Sequence, residues 1–514
     1  MLKYLWYMPL VMLLLLWSSC RKELEFASSD GNLAFSKDTV YLDTVFTTIG
    51  SSTYTLKVYN RNRDDLEIPS IRLGQGLQSN YRLNVDGVAG KEFRNIPIFA
   101  EDSLYIFIET TFDIAPTQEN TFLYTDVIQF DSGIHQQDVQ LVTLVKDAVF
   151  LYPNTLPDGS KETIALGTDP NGEQIESEGF YLSDQHLVFT NDKPYVIYGY
   201  AAVESGKTLT INAGSRVHFH QDSGLYIDDN ATLLVNGALS IDQELLENEV
   251  VFEGDRLEDV YSDIPGQWGS IWLSEGSGGH SIDYLSINNA TVALFIEGDG
   301  ILQSPTLTIK NTQIHNSSST NLWAKSAAIM AENLVLGAAG KTSLHCNLGG
   351  DYTFMHCTIA NYWKHGFRTG TALQIDNFST LISGTSINMD LVKADFLNCI
   401  IDGNSAIELS LRNNGTNSFN FNFDHSLIKF DDAAGLFNAN PDYDFQNTDL
   451  YNAILLNQNV DFLDSSNHDY SLNSSSEAID KANVGHALLV PLDILGQSRT
   501  NLPDFGAFEF TPQN

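Results

Sequence analysis

Apolar and polar residues alternate one by one in short runs between Leu33 and Lys146. Examples are Tyr54-Thr55-Leu56-Lys57-Val58, Ser103-Leu104-Tyr105-Ile106-Phe107-Ile108 and Val139-Gln140-Leu141-Val142-Thr143-Leu144. Period-two alternation marks strands with one face in a core. Turn residues separate the runs, as at Asn60-Arg61-Asn62 and Asp86-Gly87. Several short strands so spaced predict a small antiparallel β-sandwich over residues 33–147.

From Tyr195 the pattern changes. Strand-like runs become very short and frequent, as in Thr208-Leu209-Thr210-Ile211, Arg216-Val217-His218-Phe219, Gly224-Leu225-Tyr226-Ile227 and Thr232-Leu233-Leu234-Val235. Helical periodicity is almost absent. Between the two regions, residues 148–194 are rich in Pro, Gly, Asp and Glu and carry the turn signal Asp169-Pro170-Asn171-Gly172. They read as a junction that also covers the first coil of the second region.

A repeat runs through the second region. The pattern apolar-x-polar-small-x-aliphatic fits Ile309 to Ile314, Phe354 to Ile359, Phe396 to Ile401 and Phe423 to Ile428, with weaker copies ending at Ile287 and Val335. The closing aliphatic positions 287, 314, 335, 359, 401 and 428 are spaced by 27, 21, 24, 42 and 27 residues. A step in the twenties is one turn of a parallel β-coil, and the step of 42 reads as two coils with a poorly matched member near Ile375 to Leu381. Each rung must bury its inward residue against the next, so like residues stack into ladders and each coil draws its stability from its neighbours. The expected fold is therefore all-β: a right-handed parallel β-helix over residues 195–448, preceded by the sandwich. Residues 449–514 form a closing segment, because an open coil end would expose unpaired strand edges. Asn311, His356, Asn398 and His425 share one polar column and read as hydrogen-bonded stacking residues. Cys357 and Cys399 share a column and read as two coils apart, roughly 9 to 10 Å, too far for a disulfide, and as buried thiols.

Other features bear on address and partners. Lys3 precedes an apolar run from Leu5 to Trp17, then Ser18, Ser19 and Cys20. The run is short for a membrane helix and has the order of a secretory signal peptide, residues 1–19. The formal net charge of −38 argues against nucleic acid, whose phosphates need Lys and Arg. It permits a hard cation such as calcium, with Asp228-Asp229 and Asp376 as candidate ligands; no other cofactor is expected. The three cysteines beyond Cys20 show no zinc-ligand spacing.

The cysteine-terminated leader resembles that of bacterial lipoproteins. This implies cleavage before Cys20, acylation of that residue and attachment to a membrane. Arg21-Lys22-Glu23-Leu24-Glu25 resembles the export tag of Bacteroidota-type surface lipoproteins. Residues 20–32 would then be a tether, and the location an outer membrane facing outward. Val58-Tyr59-Asn60, Leu66-Glu67-Ile68 and Phe112-Asp113-Ile114-Ala115-Pro116 resemble immunoglobulin-like modules of the ASPM/SPD-2/Hydin type, which implies a spacer or platform. The run from Ala201 to Gly214 resembles exported pectin-lyase-like β-helix proteins. So do Pro265-Gly266-Gln267-Trp268-Gly269-Ser270-Ile271 and the tail around Asp469-Tyr470-Ser471-Leu472 and Pro503-Asp504-Phe505-Gly506-Ala507-Phe508-Glu509.

Many proteins of that fold cut acidic polysaccharides with paired carboxylates or with a Lys or Arg base. The hydrolase motif order is missing here: Asn311-Thr312 is followed by Gln313. The best cationic cluster is Lys364, His365 and Arg368 beside Tyr362 and Trp363, a candidate for holding a sugar. The expectation is a non-catalytic surface protein that binds a glycan or a partner protein. The alternative is a polysaccharide lyase or glycoside hydrolase acting on acidic polysaccharide along the helix groove.

Overall fold

Along Ser103–Thr110, Leu104, Ile106 and Ile108 point into a core, while Tyr105 and Phe107 point away. This strand lies in the first of two units into which the chain divides, between Lys146 and Asp147. The computed structural model describes residues 26–113, 121–168, 174–300, 304–380 and 384–512. Cys20, the leader before it, Ile114 to Pro116 and Asp169 to Gly172 lie outside the described residues.

The first unit is a β-sandwich. One sheet runs Ala27–Ser28, Leu66–Leu73, Thr121–Phe130, Gln137–Lys146, Thr39–Phe46, with Glu92–Ile98 also paired to Leu66–Leu73. The other runs Ala34–Phe35, Tyr54–Tyr59, Ser103–Thr110, Tyr81–Val85, Val88–Gly90. Val40, Leu56, Ile68, Ile106, Ile128 and Leu141 fill the space between them. Most pairings are antiparallel, but Thr39–Phe46 runs parallel to Gln137–Lys146. Ala27 and Ser28 pair with Leu66 and Glu67, so part of the expected tether belongs to the sandwich.

The second unit is a parallel β-helix with three long sheets. Among the described residues, sheet I has eleven strands, from Val149–Leu151 to Leu455–Leu456. Sheet II has ten, opening with Thr163–Thr168 and Gln174–Tyr181, and continuing from Tyr200–Val203 to Leu409–Arg412. Sheet III also has ten, from Val188–Phe189 to Tyr451–Asn452. One coil visits III, I and II in turn, as Leu307–Lys310, Gln313–Ser317 and Thr320–Lys325 do. The coils thus begin within the expected junction and continue past residue 448. Only Asn311 and Thr312 join sheet III to sheet I in this coil. Asn311, Asn333, His356, Asn398 and His425 all hold left-handed backbone at that turn, with φ between 45° and 57°. Asn tolerates that region best among non-glycine residues. Its amide also bonds along the column: Asn333 Nδ2 donates to Asn311 Oδ1 at 2.9 Å.

Inside, aliphatic residues form ladders, and near the end Phe354, Phe396, Phe423 and Tyr451 stack at 5.1, 4.8 and 5.6 Å. The aliphatic ladder of sheet I corrects two expectations. Ile314 faces Leu336, not Val335, whose side chain lies on the outer face. Ile359 faces Ile401 directly, so the step of 42 residues is one coil enlarged by insertions, and Ile375 belongs to sheet II. Cys357 and Cys399 consequently sit in adjacent coils, about 4.8 Å apart along the axis rather than 9 to 10 Å.

The tail also differs from expectation. It runs along the outer face of sheet I. Tyr470, Ile494, Ala507 and Phe508 cover Val335 and Ala360; Val460, Leu472, Ala478 and Phe505 cover Ile400 and Leu427. These outward positions are apolar, and the tail removes them from water. Arg499, fully buried, pins it through Glu509 Oε1 and Asn333 Oδ1.

Candidate functional site

The five residues proposed from sequence do not form one open site. Lys364 Nζ pairs with Asp263 Oδ2 at 2.8 Å and donates to the Ser466 carbonyl at 2.6 Å. His365 approaches the same carboxylate at 3.5 Å and His468 at 3.3 Å. Burial pushes the Asp263 carboxyl up, but Lys364 and His468 outweigh it and hold it below its ordinary range. Arg368 is buried in a two-bond pair with Glu408. The Tyr362 hydroxyl donates to Asp402, and its ring packs beneath the tail against Tyr470. Trp363 is buried. Lys364 and His365 thus meet at Asp263, where they tie two loops to the tail, whereas Arg368 and Tyr362 serve other pairs.

The sequence pattern did not reveal a more continuous feature. On sheet II, inward Leu225 and Ile227 flank outward Tyr226, and the same triplet recurs as Ile271-Trp272-Leu273, Leu294-Phe295-Ile296, Leu322-Trp323-Ala324 and Leu344-His345-Cys346. Strand register places Tyr226, Trp272, Phe295, Trp323, His345 and Gln374 in one outward column. Their rings pack in sequence, with centroids 5.9, 5.1, 4.8 and 5.9 Å apart from Tyr226 to His345. Trp272, Phe295, Trp323 and His345 are partly exposed, while Ile164 and Leu166 cover Tyr226. The aliphatic-aromatic-aliphatic triplet was the available signal. It is visible only when the outward position, rather than the inward one, is aligned across coils.

A polar column runs beside the rings: Glu297, Lys325, Asn347, Asp376 and Arg412. The Trp272 indole donates to Glu297 Oε2 at 2.9 Å, and Lys325 pairs with Oε1 at 2.8 Å. Asp376, 2% exposed, accepts from Asn347 Nδ2 and the Leu348 amide on one oxygen, and from His345 Nε2 and Gln374 Nε2 on the other. Burial alone would raise its carboxyl; the His345 bond and the other donors outweigh this and hold it low. With all donors coming from the protein, Asp376 is an anchor for the rim and a poor calcium ligand. Among the described residues, no group of three or more His, Cys, Asp or Glu is placed to hold a metal ion. Glu297 and Asp376 stand three rungs apart, about 14 Å. That exceeds the roughly 5 to 9.5 Å that glycosidase carboxylate pairs require.

A second titratable group lies on sheet III. Lys393 pairs with Asp351 at 3.1 Å. Asp395 is one strand from Asp424, diagonally offset by two residues. His425 and His486 hold Asp424 at 2.7 and 2.6 Å. Burial raises the Asp395 carboxyl; on Asp424 the same effect is outweighed by its two histidines.

No protein family matches the chain, and no curated protein does either. Among solved structures, it is similar to the ASH/PapD-like domain of human CEP192, with 8% identity, 24% of this chain and 89% of that one covered, and a TM-score of 0.16. It is also similar to the catalytic domain of a GH87 alpha-1,3-glucanase in complex with nigerose, with 10% identity, 74% and 82% covered, and a TM-score of 0.20. A family 123 glycoside hydrolase from Clostridium perfringens gives 8% identity, 23% and 30% covered, and a TM-score of 0.16. At these values none of them bears on function.

Proposed function

We propose that this chain is a lipid-anchored surface protein whose β-helix binds a glycan, without cutting it, along the aromatic strip of sheet II. The observation that carries the reading is the unbroken outward column Trp272, Phe295, Trp323, His345. Aromatic rings that stay partly exposed, beside fixed hydrogen-bonding groups, suit the apolar C–H surfaces and hydroxyls of sugars. Rungs advance by about 4.8 Å, close to the advance of one sugar unit in an extended glycan. Acylation of Cys20, an outer-membrane position facing outward and a spacer role for the sandwich complete the proposal; these rest on the leader, the charged segment after Cys20 and the resemblance to immunoglobulin-like modules. Calcium is not required by it.

The test is a screen of the mature soluble chain against acidic and neutral glycans, scoring both retention and depolymerisation. Retention without cleavage, lost in Trp272→Ala and Trp323→Ala, is expected. A second reading, hydrolysis, is favoured by one observation: Asp395 and Asp424, with opposite protonation tendencies, stand roughly 8 Å apart on neighbouring strands. Pairs driven apart in this way suit acid and base roles. Product release abolished by Asp395→Asn would establish that reading instead.

A further inference from the structure

We infer that the ligand of the strip is an uncharged, hydroxyl-rich glycan gripped over about four consecutive sugar units, an inference that rests on the strip being a glycan site. The charges along the strip decide the first part. Lys325 is held by Glu297 at 2.8 Å, and His345 by Asp376 at 2.8 Å. Arg412 lies a rung beyond Asp376, with its guanidinium 5.2 Å from the centre of the Phe378 ring. A uronate or sulfate seated on the rings would have to draw Lys325 or His345 from a carboxylate already in contact. It would cost Glu297 its Lys325 contact or Asp376 its His345 contact and set that carboxylate beside a second anion, a juxtaposition that interfaces avoid. The net charge of −38 adds a long-range repulsion toward any polyanion. What the strip offers instead is partly exposed apolar rings and the Glu297 carboxylate as an acceptor. A carboxylate such as Glu297 accepts from a sugar hydroxyl more strongly than a neutral oxygen does.

The length follows from the coil geometry. Four partly exposed rings, Trp272 to His345, span three rung spacings, about 14 Å. Below Trp272 the column is closed, because Ile164 and Leu166 sit on Tyr226. A ligand running along the axis therefore gains ring contacts over about four units and none beyond that closed end.

The experiment is calorimetric titration of the mature chain with neutral gluco- and manno-oligosaccharides of increasing length, and with oligogalacturonates matched to them. The expected result is binding of a neutral series, with affinity rising to about four units and then level, and no uptake of oligogalacturonates. Oligogalacturonate binding that Trp323→Ala abolishes would overturn the neutral class while keeping the strip. Affinity still climbing well beyond that plateau would overturn the length. Binding indifferent to both Trp272→Ala and Trp323→Ala, or no binding to any series, would overturn the strip itself. Trp323→Phe, which keeps a ring in the stack, controls for misfolding and should retain most of the affinity.

Discussion

Arg368 and Glu408 form a closed ion pair, with Nη2 2.6 Å from Oε1 and side chains only 4% and 0% exposed. Breaking such a pair leaves a buried charge alone, at a cost of about 3–5 kcal/mol. Arg368→Ala should therefore lower stability in a denaturant titration by that amount, whereas replacing both partners with apolar residues should cost much less. Arg368→Ala with unchanged stability and lost ligand binding would return this residue to the site expected from the sequence.

Gly337 has no room for a side chain, since a Cβ there would run into the Tyr470 ring. Gly337→Val should lift the tail from sheet I and cost about 1–3 kcal/mol, as overpacking does. Hydrogen exchange should then quicken across residues 457–512 and at Val335 and Ala360. Unchanged exchange in the tail would contradict its docking on that face.

The three described thiols are fully buried, and burial pushes those of Cys346 and Cys357 well above the ordinary range. All three should resist alkylation at pH 8 in the native protein and react on unfolding. Adjacent coils make a Cys357–Cys399 crosslink geometrically allowed under oxidation. Crosslinks from Cys346, which lies on sheet II, to either partner would contradict the coil order.

These cysteines also show how far the sequence is legible. The ladder, the parallel coil and the sandwich follow from apolar period and turn chemistry, both local properties. The coil count fails between Ile359 and Ile401 because an insertion of hairpin and loop does not change which strands pair. Val335 stands in for Leu336 in the repeat because two adjacent apolar residues leave phase undetermined until the tail, covering one of them, is known. Lys364, His365 and Arg368 look available in the sequence because their partners, Asp263 and Glu408, are remote along the chain. The strip is hidden there because outward rings in separate coils become neighbours only once register is fixed.

His280 stands in the core, 2% exposed, with the Leu233 amide donating to Nδ1 at 3.0 Å and Ser277 Oγ at 3.0 Å from Nε2. Burial pushes its imidazole down to about 4. Between about pH 6.5 and 4 the unfolded chain binds a proton that the folded chain refuses, so this contribution to stability is lost as pH falls. Glu249 and Glu509, pushed up to about 7 by burial, act oppositely and lose theirs as pH rises. They are common to wild type and His280→Asn. Wild type should therefore lose about 2 kcal/mol more than the variant between pH 7 and pH 5 in paired unfolding curves. Parallel losses would mean that the imidazole is not held neutral.

The most direct test of the central claim is the affinity of wild type and Trp323→Ala for one bound glycan, measured side by side on proteins of matched thermal stability. A central tryptophan in a contact surface is worth about 2 kcal/mol or more, so affinity should fall about thirtyfold, with no sugar released by either protein. Equal affinity in the two proteins, or release of reducing or unsaturated sugar ends by wild type, would contradict a non-catalytic aromatic strip.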